Sequence, residues 1–292
     1  MQQDEMLGET QISKVGVIGA GAMGHGIAQV FAQSGFQVRL NDVSMDFINS
    51  GMKRIDENLS RAVEKGRLSA YQKKETLSSI SPTPDLDDFS DREFVVEAVL
   101  EKIEVKREVF QRLDKVCPKD SVLATNTSSI PVTQIASLVS NPARVGGMHF
   151  FNPVPVMALV EIVKGLQTSE KTVSTVQKVS QRLGKTPVLV ADSPGFVSNR
   201  ILCPMINEAI FALEEGIATK EDIDTVMKLG MRHPMGPLEL ADFVGLDVLL
   251  DVLEVLHREY QDPKYRASPL LRKMVRAGYL GRKTKKGFYN YD

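Results

Sequence analysis

Cysteine is scarce in this 292-residue chain. Cys117 and Cys203 stand far apart and outside any CxxC or Cys/His spacing, which removes the sequence basis for a metal site or a redox thiol pair. Both are read as reduced filler, and no metal is expected. An excess of one charge is also missing: the formal net charge is -1. No whole-protein field therefore draws in nucleic acid or an acidic membrane, although a local basic patch can still hold a phosphorylated ligand. No run approaches the roughly 18 consecutive apolar residues that a membrane-spanning helix needs. The opening MQQDEMLGETQ lacks the basic start and apolar stretch of a secretory signal and the arginines of a transit peptide. It is read as a loose acidic tail, and a cytoplasmic protein is expected. Internal repeats and low-complexity segments are absent.

What is there is ordinary globular material, 42% hydrophobic and 25% charged. At roughly 100 to 200 residues per domain the length suggests two domains. In the first half, short β-branched runs alternate with longer helical patterns, the mark of βαβ units and a parallel sheet. The runs are KVGVIG from Lys14, QVRLND ending at Asp42, EFVVEA, SVLATN ending at Asn126, RVGGMHF, LVEIVKG and PVLVAD ending at Asp192. Near-continuous apolar character fits strands covered on both faces. After the second run a long charged helical stretch, FINSGMKRIDENLSRAVEKG, exceeds a simple crossover helix and reads as an arm with a basic tip at Arg61, Lys65 and Arg67, or as a solvated face. Beyond the SPGF turn the chain reads helix after helix. TKEDID offers Thr219 as an N-cap with Asp222 three residues on. The expected organisation is α/β in residues 1–192, a mostly parallel sheet with helices on both faces, followed by an all-α domain in residues 193–292.

GAGAMG follows the first strand directly and opens a helical pattern. Gly19, Gly21 and Gly24 occupy the GxGxxG positions, with Ala22 and Met23 between them. The first glycine permits the tight turn, the second lets backbone approach a diphosphate, and the third lets helix and strand pack closely. The helix N-terminus then faces the phosphates. Asp42, at the end of the next strand, is placed to accept from ribose hydroxyls. No arginine follows it to neutralise a 2'-phosphate, so NAD is favoured over NADP. This is a Rossmann-type reading; the alternative is a plain turn with Asp42 capping the next helix. His25 within the loop is read as incidental.

A dinucleotide fold names no substrate. Here NTSS (Asn126 to Ser129), HFFNPVPVM (His149 to Met157), LVEIV (Leu159 to Val163) and DSPGFVSNR (Asp192 to Arg200) resemble the L-3-hydroxyacyl-CoA dehydrogenase family in order and spacing, from about Lys14 to the C-terminal GFYNY. The resemblance implies NAD-dependent interconversion of an L-3-hydroxyacyl-CoA, of the short-chain 3-hydroxybutyryl-CoA type, and its 3-ketoacyl-CoA, as in fatty acid and butanoate metabolism. It implies His149 as the base, Glu161 as its partner, and Ser128 and Asn199 as groups holding the substrate's oxygens. It places Asn58, Lys65 and Asn152 with the acyl-CoA substrate, and Glu101, Lys106, Asn126 and Ser128 with the cofactor. It also implies a homodimer through the C-terminal domain. Imidazole suits the chemistry, since side chains of this type ordinarily titrate near neutrality. A carboxylate on the second ring nitrogen sets the tautomer. HFF and LVEIV are expected to be neighbouring strands joined by the NPVPVM turn.

Blander roles stay open. Taken alone, His149 and Glu161 read as a satisfied histidine and a surface charge, Ser128 or Ser129 as a cap for a helix near Pro131, Asn199 as a helix cap, and Lys65 as surface charge. Two other functions compete: a relative acting on a free hydroxy acid such as gulonate or carnitine, and a catalytically silent NAD-binding protein.

Overall fold

The apolar runs become strands of one sheet: β1 (Lys14–Ile18), β2 (Gln37–Asn41), β3 (Ile80–Thr83), β4 (Phe94–Glu97), β5 (Val122–Thr125), β6 (Val145–Phe150), β7 (Leu159–Lys164) and β8 (Thr186–Ala191). The computed structural model describes residues 12–292, so the stretch read above as a tail lies outside the described residues. The chain divides into two compact units, Met1–Asp192 and Ser193–Asp292.

Among the described residues the strand order is β3-β2-β1-β4-β5-β6-β7-β8. The first six strands run parallel, β7 returns antiparallel to β6, and β8 runs parallel to β7. This is the mostly parallel α/β sheet the sequence leads one to expect. Two apolar clusters cover its faces, and β4 shows how alternation serves both: Phe94 and Val96 enter one cluster, Val95 the other. The strand order reverses between β1 and β4, the point at which such sheets open a crevice for a dinucleotide. Strand β3 escaped the sequence reading because it carries Pro82. Proline cannot donate to a ladder, and it is tolerated here because β3 is an edge strand.

Helices α1 (Gly24–Gln33), α2 (Met45–Glu64), α3 (Ala70–Ser78), α4 (Ile103–Val116), α5 (Val132–Ala136) and α6 (Glu170–Arg182) complete the first unit. The charged stretch after β2 forms α2, whose Ile48, Gly51, Ile55 and Leu59 are buried at helical spacing. The chain then turns at Gly66, in the left-handed region at φ +65°, and α3 starts on a capping box of Ser69 and Gln72. The stretch is thus one helix, as read, and α3 follows it to make the arm a helical hairpin.

The second unit packs α7 (Ser198–Glu214), α8 (Lys220–Leu229), α9 (Pro237–Val244), α10 (Leu246–Tyr260) and α11 (Pro269–Arg276) around Ile206, Ile210, Leu238, Leu253 and Leu271. Thr219 caps α8 as expected, its hydroxyl oxygen accepting from the Asp222 N–H at 3.2 Å. Buried Asp242 accepts from the N–H groups of Phe288 and Tyr289 at 2.9 and 2.8 Å, which ties the C-terminal GFYNY segment to α9. Among the described residues no helix is long and apolar enough to cross a membrane.

Candidate active site

The glycine turn is closed where backbone must pack and open where a ligand must approach. Gly19 lies at φ +96°, and a Cβ there would stand 2.4 Å from the Ala98 carbonyl oxygen; one on Gly24 would stand 1.6 Å from the Gly19 oxygen. A Cβ on Gly21 would meet nothing within 4 Å. Ala22 is exposed beside it, and Met23 takes the N-cap position of α1 with no side-chain bond, so the helix end presents bare backbone donors. Asp42 accepts from the Ala20 N–H at 2.7 Å and from the Val43 N–H at 2.7 Å, binding the end of β2 to the turn. The next helix is capped by Ser44 instead. His25 reaches the Gly21 carbonyl oxygen through Nδ1 at 2.6 Å, a tether within the turn. An open second glycine over a helix N-terminus, with a carboxylate one strand away, fits NAD.

At the carboxyl end of β6, His149 stands directly opposite Glu161 of β7 in antiparallel register. The two are 7% and 2% exposed, and Nδ1 lies 2.8 Å from Glu161 Oε2. With Glu161 ionised, its carboxylate only accepts, so Nδ1 is the donor in this hydrogen bond. The strand pair and joining turn are those expected from HFFNPVP and LVEIV. Asn126, just past β5, accepts from the Phe150 N–H at 2.9 Å and so locks the ends of β5 and β6 together. Lys185 donates to the Val154 and Met157 carbonyl oxygens, each at 2.7 Å, and holds the NPVPVM turn from below. Asn152 is exposed on that turn.

The Ser128 turn hangs on Glu101. One oxygen, Oε1, accepts from the Thr127 hydroxyl at 2.5 Å, from the Ser128 and Ser129 N–H groups at 2.8 and 2.9 Å, and from the Ser129 hydroxyl at 3.1 Å. The other is 3.1 Å from Lys106 Nζ. Burial pushes this carboxyl up, but the Lys106 charge, the Thr127 hydroxyl and the two N–H groups outweigh it and hold the group at about 2. Lys106 is 1% exposed, its ammonium enclosed between Glu101 and Glu97. Pro131 takes the N-cap position of the following helix, α5, and brings no side-chain bond to it. Val132 and Thr133 donate their N–H groups to Asp192, at 3.1 and 2.7 Å, and this carboxylate from the end of the first unit does the capping.

Ser128, His149, Glu161 and Asn126 therefore gather at the carboxyl ends of β5 and β6, while the glycine turn and Asp42 lie at those of β1 and β2. Asn58 and Lys65 stand apart on the arm: Asn58 donates to Gln29 at 3.4 Å, and Lys65 is exposed as the C-cap of α2. Asn199 lies in the first turn of α7 and belongs to the second unit. Glu97, Lys185 and Thr127 went unnoticed in the sequence. The one signal for Glu97 was a carboxylate inside the apolar run FVVEA.

A cavity of about 790 Å³ lies at the opposite, amino-terminal edge of the sheet, among Glu93, Ser121, Arg144, Lys171 and Arg182, and none of the motif residues line it. Burial pushes the Cys117 and Cys203 thiols up to about 11 and about 12, consistent with inert filler. Among the described residues no group of three His, Cys, Asp or Glu side chains is placed to hold a metal ion.

Comparison with known proteins matches residues 14–193 to the family model for the 3-hydroxyacyl-CoA dehydrogenase NAD binding domain, and residues 195–291 to that for the 3-hydroxyacyl-CoA dehydrogenase C-terminal domain. A Bacillus subtilis protein named as a probable 3-hydroxybutyryl-CoA dehydrogenase is 51% identical over 282 residues, 97% of this chain and 98% of that one. The 3-hydroxybutyryl-CoA dehydrogenase of Clostridioides difficile is 50% identical over 279 residues, 96% of this chain and 99% of that one. The crystal structure of (S)-3-hydroxybutyryl-CoA dehydrogenase from Ralstonia eutropha superposes with a TM-score of 0.93 at 48% identity, covering 97% of this chain and 100% of that one.

Proposed function

Since the chain belongs to the 3-hydroxyacyl-CoA dehydrogenase family and is an NAD-dependent oxidoreductase, we propose that it oxidises L-3-hydroxybutyryl-CoA to acetoacetyl-CoA and runs the reverse reduction. The observation that carries this reading is the His149–Glu161 pair, buried at the carboxyl edge of the sheet with its tautomer set by a 2.8 Å hydrogen bond.

Bound NAD supplies the acceptor for the hydride of the substrate's CH–OH carbon. The chain's own part is the proton. His149 Nε2 takes it from the substrate hydroxyl, and Glu161 stabilises the imidazolium while the other proton stays on Nδ1. In reduction the imidazolium returns its proton to the carbonyl oxygen. Ser128 meets the substrate oxygen from a turn that Glu101 clamps. Lys106, enclosed by two carboxylates, serves the cofactor through Glu101. Asn199 and Asn152 enter the proposal on the family motifs, and Asn58 and Lys65 on the arm take the CoA portion. The first unit binds NAD and the second serves substrate and assembly.

An NADH absorbance assay tests this reading: oxidation of NADH with acetoacetyl-CoA is expected. Turnover confined to a free hydroxy acid such as gulonate or carnitine, or no turnover at all, overturns it. We extend the proposal to a cytoplasmic homodimer joined through the second unit. Ile201, Ile217, Val226, Leu229 and Met231 are left exposed there, apolar surface that an interface would cover. Light scattering should give a dimer mass and Leu229→Lys should lower it; a monomeric wild type refutes the dimer.

A further inference from the structure

The residue at the floor of the strand-order reversal is a carboxylate with no exposed surface, and nothing in the reaction described above uses it. Glu97 ends β4, with Ile18 of β1 on one side and Thr125 of β5 on the other. It is 0% exposed. Oε1 accepts from the Val99 N–H at 2.8 Å and from Lys106 Nζ at 2.7 Å; Oε2 accepts from the Thr125 hydroxyl at 2.7 Å. The desolvation of a buried ion pair often offsets its attraction, so this pair is weak evidence of cohesion alone and its further contacts bear on its role.

That role lies at the far end of both contacts. Lys106 passes from Glu97 to Glu101 at 3.1 Å, and Glu101 gathers the donors of Thr127, Ser128 and Ser129. Thr125, while donating to Glu97, accepts from the Thr127 N–H at 3.2 Å. Glu97 therefore holds the Ser128 turn by two independent routes, one through α4 and one through β5. In a sheet of this order the first nucleotide lies over β1 and β2, and the second half of the sheet, which starts at β4, takes the other. We propose that Glu97 is a positioning residue for the nicotinamide half of the NAD site. Without its charge the Lys106–Glu101 link and the Thr125 link both slacken, and the Ser128 turn loses its place against the cofactor. The proposal rests on the chain's reading as an NAD-dependent enzyme, but its test does not need the acyl-CoA assignment.

Three variants decide it: Glu97→Gln, Lys106→Met, and the double variant, in which both charges give way to neutral side chains of similar shape. NADH affinity is read from the nucleotide's own fluorescence, against no tryptophan background. Stability is read from the urea midpoint, and kcat and KM from acetoacetyl-CoA reduction. Glu97→Gln should lower the midpoint, because it strands a buried ammonium, and weaken NADH binding by about tenfold or more, the scale on which loss of an outer-shell partner acts elsewhere. The double variant should regain the midpoint without regaining NADH affinity or kcat. Recovery of both would make the pair mere core cohesion and overturn the proposal, as would a folded Glu97→Gln protein with wild-type NADH affinity. If neither Gln variant folds, Thr125→Val cuts one route alone: it should lower the midpoint, because it takes a donor from a fully buried carboxylate, and the protein still folded without urea should bind NADH more weakly; unchanged affinity overturns the proposal. Failure of wild-type turnover on acetoacetyl-CoA would instead count against the substrate assignment and leave the NADH measurements standing.

Discussion

A base that takes a proton in oxidation must enter the step unprotonated, so oxidation should slow as pH falls. The expected outcome is an acidic limb in kcat/KM for 3-hydroxybutyryl-CoA that disappears in His149→Gln, with kcat down by at least about 100-fold and NADH binding nearly intact. Glu161→Gln should also lower kcat, because an amide at the 2.8 Å contact stabilises imidazolium less than a carboxylate does. Near-normal turnover with the same limb in the His149 variant would assign the base elsewhere. Asp42 makes a second prediction at this scale. Its carboxylate is fastened by two N–H donors with no arginine following it in the sequence, so a 2'-phosphate meets repulsion. NADH should be used far better than NADPH, and Asp42→Ala should narrow the gap in kcat/KM; equal use by the wild type would remove that role from Asp42.

Among elements, the glycine turn separates folding from binding. Gly24→Ala places a methyl 1.6 Å from the Gly19 carbonyl oxygen, so β1 and α1 must part and both the thermal midpoint and NADH affinity should fall. Gly21→Ala meets only open space, so its midpoint should stay near wild type while NADH affinity drops as the methyl meets the diphosphate. A Gly21→Ala protein that binds NADH normally would show that the cofactor does not approach there. The arm makes a weaker claim. Lys65 is exposed, and one such charge contact contributes about 1 kcal/mol or less, so Lys65→Ala should raise KM for acetoacetyl-CoA by at most about fivefold. A ketone lacking CoA should show no change, and an equal rise for both would mean that the arm does not read CoA.

For the whole molecule, acid is the informative stress, because several carboxylates of the first unit are held low. In Glu101 the upward push of burial is outweighed by Lys106, Thr127 and the turn's N–H groups, from an ordinary 4.5 to about 2. In Asp91 the same push is overcome by Arg92 and Lys14, in Glu93 by the N–H groups of Lys14 and Ser13, and in Asp114 by Ser140 and Arg144. A folded value below the unfolded one means stability that is whole above the unfolded value and lost as pH falls toward the folded one. The urea midpoint should therefore decline from about pH 4.5 downward; a midpoint flat to about pH 3 would show that these contacts contribute nothing. Much of this molecule was legible beforehand. Near-continuous apolar runs specify the strands, GAGAMG with Asp42 specifies the NAD turn, and HFFNPVP with LVEIV specifies a strand pair with His149 facing Glu161, because these depend on neighbours close along the chain. The edge strand with Pro82, the hairpin form of the arm, the capping of α5 by Asp192 and the hold of Glu97 on Lys106 and Thr125 were not legible. Each joins residues that are close only after the sheet has ordered its strands, and a carboxylate's partners are decided by which donors the packed backbone brings within about 3 Å.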